Sequence, residues 1–173
     1  ADFTSVTGIT AGTVADATGV LITNQGTSGN KIDTAANVGV VLSGDTTVTA
    51  TALAALDNAT TGFLDASAAI DAITAGSTAQ LKLIQVTNQG TTGNKVKTAA
   101  DVTLAFSAVE TATDADLTVI NTSTTGAINM NSIAGVTAAG ATTLTALLAD
   151  TDVTHDDNFT VVFAAGTATD AEL

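Results

Sequence analysis

The chain has 173 residues, of which 45% are hydrophobic and only 3% are aromatic, so its core must be built from small and β-branched side chains that favour strands. Cys is absent, which excludes disulfides and thiolate metal sites. Seventeen acidic residues against four lysines give a net charge of −13, which repels nucleic acid and anionic membranes and attracts cations.

The chain carries neither a run of about 18 apolar residues, as a membrane helix would need, nor a signal-peptide pattern. We therefore expect no membrane insertion. Because the chain begins at Ala1, we expect a processed chain or a fragment. Its richness in Asp favours an extracellular or saline setting.

The sequence repeats itself. Residues 71–134 align with residues 7–70 without a gap, and a third, shortened copy follows. The tripeptide Thr-Thr-Gly marks two joints, at Thr60–Gly62 and Thr124–Gly126. We expect three repeat units of about 60 residues each, the last one shortened and divergent. Their bounds are 1–62, 63–126 and 127–173.

The second unit shows the predicted elements in order. Residues 63–76 have the apolar spacing of a strand, and Ser77–Gln80 is a capping box that predicts a short helix carrying Leu81 and Ile84. The segment LIQVT, residues 83–87, is predicted to be a second strand because it is rich in β-branched residues.

A Gly-rich loop follows, and then residues 95–108 alternate, with mostly apolar or small side chains at the even positions from Val96 to Ala108. This period predicts one strand with one buried face. Thr113–Asp116 predicts a second capped helix, and Thr169–Glu172 is its counterpart near the end of the chain.

A module of one strand and one or two helical turns cannot bury its apolar face alone, but it can do so when stacked on its neighbours. We therefore expect a mainly β fold with short helices, arranged as a solenoid-like stack of the three units. The alternative is a row of small β-sandwich or α+β domains.

Two nearly identical Gly-rich loops, TNQGTSGNK and TNQGTTGNK, occupy residues 23–31 and 87–95. In one interpretation, Asn side chains and open backbone carbonyls bind an ion or a glycan. In the other, the glycines supply the positive φ of a tight turn, and the loop is copied with its unit. The candidate ligand residues are Asn24, Asn30, Asn88 and Asn94.

The third unit replaces this loop with the acidic stretch DTDVTHDDN, residues 150–158. Carboxylates at this density suit Ca²⁺, which takes six to eight oxygen ligands. The candidate ligands are Asp150, Asp152, Asp156 and Asp157. The alternative is a solvated acidic turn, in which the single histidine, His155, is exposed.

We expect no enzymatic activity. The sequence has no G-x-S-x-G nucleophile motif and no phosphate-binding G-x-x-x-x-G-K-[ST] loop, and its remaining acids are scattered. Phe159 and Phe163 lie on one face of a predicted strand, where they could close an end of the stack or meet a neighbouring chain.

Residues 53–81, LAALDNATTGFLDASAAIDAITAGSTAQL, resemble the Thr/Ala-rich β-strand-repeat surface proteins of bacteria, which include S-layer and adhesin-like proteins. The resemblance implies an extracellular or cell-surface location and a self-assembling or adhesive role that often depends on Ca²⁺. We expect a non-catalytic structural protein of a surface layer, filament or lattice, whose partner is itself. The alternatives are a virion decoration or fibre protein of a phage, and an adhesin module that binds a surface glycan or another partner.

Overall fold

The structure is a computed structural model, and it describes residues 1–164. The strands are β1 (Asp2–Phe3), β2 (Gly8–Ala11), β3 (Asp33–Thr34), β4 (Gly39–Leu42), β5 (Thr47–Thr49), β6 (Leu64–Asp65), β7 (Ala72–Gly76), β8 (Val96–Lys97), β9 (Thr103–Phe106), β10 (Glu110–Thr113), β11 (Ile128–Asn129), β12 (Ile133–Ala138), β13 (Val153–Thr154) and β14 (Thr160–Phe163). The α-helices are α1 (Val14–Thr18), α2 (Ala50–Ala59), α3 (Thr78–Lys82), α4 (Asp114–Asn121) and α5 (Ala141–Leu148). Two π-helical segments, Gly19–Thr23 and Leu83–Thr87, continue α1 and α3.

The described residues form a mixed α/β structure in which the strands pair in parallel. The expected mainly β class is not confirmed, because each parallel strand must return to the same end of its sheet and the connections here contain helices. The short helices were expected, but they make up a full layer rather than a minor addition.

Strands and helices group into tiers that follow one another along the chain. Tier 1 contains β1, β2 and α1; tier 2, β3 to β5 and α2; tier 3, β6, β7 and α3; tier 4, β8 to β10 and α4; tier 5, β11, β12 and α5; and tier 6, β13 and β14. Within residues 1–164, every strand pair joins two consecutive tiers. The helices contact one another in the same succession, from α1 to α5.

The pairing pattern alternates between odd and even tiers. The second strand of tiers 2 and 4 lies between two odd tiers: β4 pairs with β2 and β6, and β9 pairs with β7 and β11. The third strand of tiers 2 and 4 pairs only with the tier that follows, β5 with β7 and β10 with β12. The two-tier pattern therefore recurs with the sequence repeat.

One hydrophobic cluster extends from Ala11 in tier 1 to Val153 in tier 6. It consists almost entirely of Leu, Ile, Val and Ala, as the poverty in aromatic residues requires, and Phe106 is its one buried aromatic ring within the described range. The core therefore runs continuously across both Thr-Thr-Gly joints. The division into three units at these joints stays a prediction.

The predicted helix starts are present. Ser77 and Gln80 form a reciprocal capping box at the start of α3, and the Thr113 hydroxyl accepts a hydrogen bond from the Asp116 backbone N–H at the start of α4. Leu81, which the first of these helices carries, is fully buried. The predicted counterpart at Thr169–Glu172 lies outside the described residues.

The predicted strand at residues 83–87 is wrong, because this segment is π-helical. The backbone N–H of Asn88 donates to the carbonyl of Leu83 at 2.8 Å, the five-residue spacing of a π-helix. Ile84 and Gln85 are both buried, and an extended chain would send these two neighbouring side chains to opposite faces. Burial therefore overrides the strand preference of the β-branched residues.

The single strand predicted over residues 95–108 is two strands, β8 and β9. A turn around Ala100 and Asp101 separates them, and the backbone N–H of Val102 donates to the carbonyl of Ala99 at 3.4 Å. The alternation was right at most positions, but Ala100 is exposed. The turn places β8 against β6 and β9 against β7.

Candidate functional site

The two Thr-Thr-Gly tripeptides form the joints from tier 2 to tier 3 and from tier 4 to tier 5. The Thr60 hydroxyl donates to the carbonyl of Val38 at 2.6 Å and accepts from the Gly62 backbone N–H at 2.9 Å. Thr124 repeats both bonds, to Val102 and from Gly126, at the same distances. Each threonine therefore ties the start of an odd tier to the chain of the even tier before it.

Glycine is required at both joints by close packing. A Cβ at Gly62 would lie 2.3 Å from the carbonyl oxygen of Val38, and one at Gly126 would lie 2.2 Å from that of Asp101. Both contacts are with backbone, which cannot swing aside. The Thr-Thr-Gly tripeptide is thus a close-packed connector between tiers.

A row of Asn and Asp residues follows the helices from tier 1 to tier 5, one residue at or near each helical C-terminus. Its members are Asn24, Asp57, Asn88, Asn121 and Asp150. The Asn88 amide donates to Asp57 Oδ2, and the Asn121 amide donates to Asp150 Oδ2 at 2.8 Å. Asp57 is 4% exposed, and its Oδ1 finds no partner among the described residues.

The Gly-rich loops fold onto themselves. In the second loop, the backbone N–H of Val96 donates to Asn88 O at 2.8 Å and that of Gly90 donates to Val96 O at 2.9 Å; the first loop repeats the pattern. Lys95 Nζ donates to the carbonyl of Thr87 at 3.0 Å, and so caps the π-helical segment. Gly93 has the positive φ that a turn requires.

The four loop asparagines do not form one cluster. Asn24, Asn30 and Asn94 are exposed, and Asn88 is partly buried against Asp57. A ligand-binding role for these residues stays a prediction. The sequence analysis did not identify the two glutamines of these loops, Gln25 and Gln89. Their side chains turn inward, and their amides donate to the hydroxyls of Thr34 at 2.5 Å and Thr98 at 2.8 Å. Both copies of the loop carry a glutamine at this position, and this repetition was the sequence signal that could have indicated a structural role.

In the acidic stretch, Asp150 is engaged in hydrogen bonds. The Asn121 amide and the Asp152 backbone N–H donate to its two oxygens, and these bonds hold the pKa of Asp150 below its usual value. Asp152, Asp156 and Asp157 are exposed. In the part of the chain that the structure describes, no three His, Asp or Glu side chains are grouped to hold a metal ion. Calcium binding here stays a prediction.

His155 is partly buried rather than exposed. Its ring stands edge-to-face against Phe159, with 5.6 Å between the ring centroids. Aromatic pairs in this geometry are worth about 0.5–1.5 kcal/mol beyond the area they bury. The histidine therefore has a packing partner at the start of β14.

Two grooves occupy equivalent places, one where tiers 1 and 2 meet and the other where tiers 3 and 4 meet. One, of about 410 Å³, lies between α3 and β10, and the other, of about 610 Å³, lies between α1 and β5. Both are bordered by Thr side chains, and the Lys82–Asp116 ion pair crosses the first. They exist because β5 and β10 each have one unpaired edge that faces a helix.

The outer face of tier 1 is apolar and open. A cavity of about 290 Å³ there is lined by Phe3, Val6, Ile9, Val20, Ile32 and Thr34. At the other end, β14 exposes Val161, Val162 and Phe163 by 37%, 53% and 38%. Large apolar side chains thus face solvent at both ends of the described stack, where monomeric proteins usually avoid them.

The five α-helices of the described range are all too short to cross a lipid bilayer. Comparison with known proteins found no matching family model, no similar curated protein and no similar solved structure.

Proposed function

We propose that the chain is a non-catalytic structural repeat protein, a solenoid of stacked tiers, and that it assembles with copies of itself into an extracellular layer, filament or lattice. The observation that carries this proposal is the strict succession of pairings, in which each described tier pairs only with its neighbours in the stack. A tier face is therefore complementary to another tier of the same protein.

The two repeated junctions support the proposal because they reuse the same positions. Val40 is opposite Leu64 where tier 2 meets tier 3, and Leu104 is opposite Ile128 where tier 4 meets tier 5. The same threonine and glycine connect the tiers at both places. A surface that stacks twice within one chain has the shape and hydrogen-bonding pattern to stack again between chains.

The extracellular location rests on the Thr/Ala-rich residues 53–81, which resemble bacterial surface proteins, and on the acidic composition. A net charge of −13 keeps separate chains apart at low ionic strength. At 0.1 M salt, cations largely screen the repulsion between charges that are more than about 10 Å apart. We therefore include cations, with Ca²⁺ at Asp150–Asp157 as the specific candidate, among the conditions that promote assembly.

The test is analytical ultracentrifugation with electron microscopy of the purified protein, at increasing NaCl and with Ca²⁺ or Mg²⁺ at matched ionic strength. We expect oligomers or filaments that grow with protein concentration and with salt. Monomers at every concentration and in every salt would contradict self-assembly. A larger effect of Ca²⁺ than of Mg²⁺, lost in Asp156→Asn with Asp157→Asn, would identify a specific calcium site rather than screening.

A further inference from the structure

The apolar face at the start of the stack repeats a face that is buried further along. Three sets of positions are equivalent in the repeat: Val6, Ile70 and Ile133; Ile9, Ile73 and Val136; and Val20, Ile84 and Leu147. In tiers 3 and 5 all six side chains are at most 4% exposed, because tiers 2 and 4 cover them. In tier 1 the three counterparts are only partly buried, and they line the open cavity.

The opposite end presents the strand of the matching half that pairs across the junction. β14 occupies the place of β4 and β9, because it pairs with β12 as those strands pair with β2 and β7. Val161 and Phe163 therefore correspond to Val40 and Leu42 in β4, and to Leu104 and Phe106 in β9. Those four are at most 4% exposed, whereas Val161 and Phe163 are 37% and 38% exposed.

The strand that would complete this junction is β1. Where an odd tier begins, Asp65 and Asn129 accept a hydrogen bond from the backbone N–H two residues later, and Asp2 does the same with Thr4. β1 therefore takes the place of β6 and β11. In those junctions, Val41 is opposite Asp65 and Ala105 is opposite Asn129.

We propose that tier 6 of one copy docks on tier 1 of a second copy, head to tail, so that β14 and the second copy's β1 form a parallel pair. The internal registers place Val162 of one copy opposite Asp2 of the next. This inference rests on the proposed self-assembly and specifies its contact. The occupant is a second copy because the open strands at the two ends, β14 and β1, correspond to the two strands that meet at a junction the chain already makes twice.

The test uses the complete absence of cysteine from the chain. Two single variants, Asp2→Cys and Val162→Cys, are mixed under mild oxidation at high ionic strength. We expect one disulfide-linked dimer that contains one copy of each variant, because opposed residues of paired strands bring their Cα atoms within disulfide range, about 4.4–6.8 Å. The matched control pairs Val162→Cys with Val41→Cys, since Val41 is exposed on the side of the stack; this mixture should not cross-link.

A second measurement is independent of cysteine chemistry. Phe163→Asp changes a side chain that is already 38% exposed, so we expect folding to be preserved and association to weaken at least tenfold. Val41→Asp, which adds the same charge at a 41% exposed position away from the ends, should leave association unchanged. Circular dichroism checks that both variants fold.

The outcomes separate this inference from the proposed function. Oligomers that tolerate Phe163→Asp, and that form no disulfide between the Asp2→Cys and Val162→Cys variants, would overturn the head-to-tail junction and leave self-assembly standing. Monomers under all conditions would overturn both. Monomers of Val162→Cys whose introduced thiol resists a thiol reagent would show that another segment of the same chain covers β14, and would also overturn the junction.

Discussion

Tier 3 and tier 1 have equivalent sequences but different surroundings. Ile73 and Ile84 in tier 3 are fully buried beneath tier 2, while Ile9 and Val20 at the same positions of tier 1 border an open cavity. Both tiers have a strand, a reciprocal capping box, a short α-helix and a π-helical continuation. The difference teaches that local structure is encoded within a tier, whereas burial of its apolar face is supplied by the tier before it.

The largest effect on stability is expected when the isoleucines at equivalent positions of tiers 3 and 1, Ile73 and Ile9, are truncated to alanine. We expect Ile73→Ala to lower the free energy of unfolding by about 3 kcal/mol, because the side chain is fully enclosed and its removal leaves a cavity. Ile9→Ala should cost about 1 kcal/mol in the monomer, because part of that side chain already faces solvent. Denaturant unfolding at low salt and low protein concentration measures both.

Equal losses for the two variants would show that tier 1 is covered even in the monomer. At concentrations where copies associate, we expect the difference to shrink, because the proposed junction would cover Ile9. This second condition distinguishes a covering by another copy from a covering within the chain.

The next largest effect concerns the joint that seats tier 3 on tier 2. We expect Gly62→Ala to cost about 2–3 kcal/mol, since the new Cβ would lie 2.3 Å from a backbone carbonyl and force the two tiers apart. The matched control is Gly19→Ala in the π-helical segment of tier 1, where a Cβ would meet nothing within 4 Å. That variant should be neutral or slightly stabilised in denaturant unfolding; a loss equal to that of Gly62→Ala would contradict the role of the joint.

A smaller effect is expected in the row of Asn and Asp residues. Asp57→Asn retains an acceptor for the Asn88 amide and removes a buried charge whose Oδ1 finds no partner within residues 1–164, so we expect a gain of about 1 kcal/mol. The reverse exchange, Asn121→Asp, would place a carboxylate against Asp150 and should be destabilising. Thermal unfolding of both variants and of the parent protein measures whether each substitution raises or lowers stability. A loss of stability in Asp57→Asn would show that the Asp57 carboxylate has a stabilising partner.

The smallest effect is acid dependence at the start of tiers 1 and 3. Partial burial tends to raise the pKa of Asp65, but hydrogen bonds from the Ser67 hydroxyl and backbone N–H, together with the Lys97 charge, lower it overall. The backbone and side chain of Thr4 lower the pKa of Asp2 in the same way. Each lowered pKa contributes stability that is fully present above the ordinary value of 3.8 and is lost as the pH falls through the lowered pKa.

We expect Asp65→Asn to weaken this acid dependence by a few tenths of a kcal/mol, because solvent reaches the Asp65 carboxylate and screens its interactions. Asp2→Asn should act in the same pH range. The measurement is the free energy of unfolding between pH 5 and pH 2. If Asp65→Asn loses stability equally at pH 5 and pH 2, the carboxylate contributes nothing through its ionisation.

Several local features could be predicted from the sequence because they depend on neighbouring residues. The capping box at Ser77–Gln80 and the Thr113 cap need only residues three apart, and both start helices as expected. The turn at Ala100 was not predictable, since alternation continues across it and only the separate pairings of β8 and β9 distinguish two strands from one. The π-helix at residues 83–87 was missed because β-branched residues there favour a strand in isolation.

The candidate sites show the same contrast between local features, which the sequence predicted, and contacts made only after folding, which it did not. Sequence alone singled out the loops around Asn24 and Asn88 as one copied feature, and the structure gives them the same backbone hydrogen bonds. It did not reveal that Asn88 bonds to Asp57, because these residues belong to different tiers and meet only after stacking. The inward direction of Gln89 likewise depends on Thr98, which the loop brings back over it.

By itself, the sequence determined the repeat, the small-residue core, the helix caps, the turn glycines and a charge that opposes association at low salt. The repeat is visible by aligning the sequence with itself, and the other features follow from composition and from contacts within a few residues. The tertiary structure alone decided that the sheets are parallel, that helices form a full layer, and that equivalent apolar faces are buried in tiers 3 and 5 but open in tier 1. Those properties depend on which tier lies against which, and parallel pairing joins residues too far apart for any local pattern to specify.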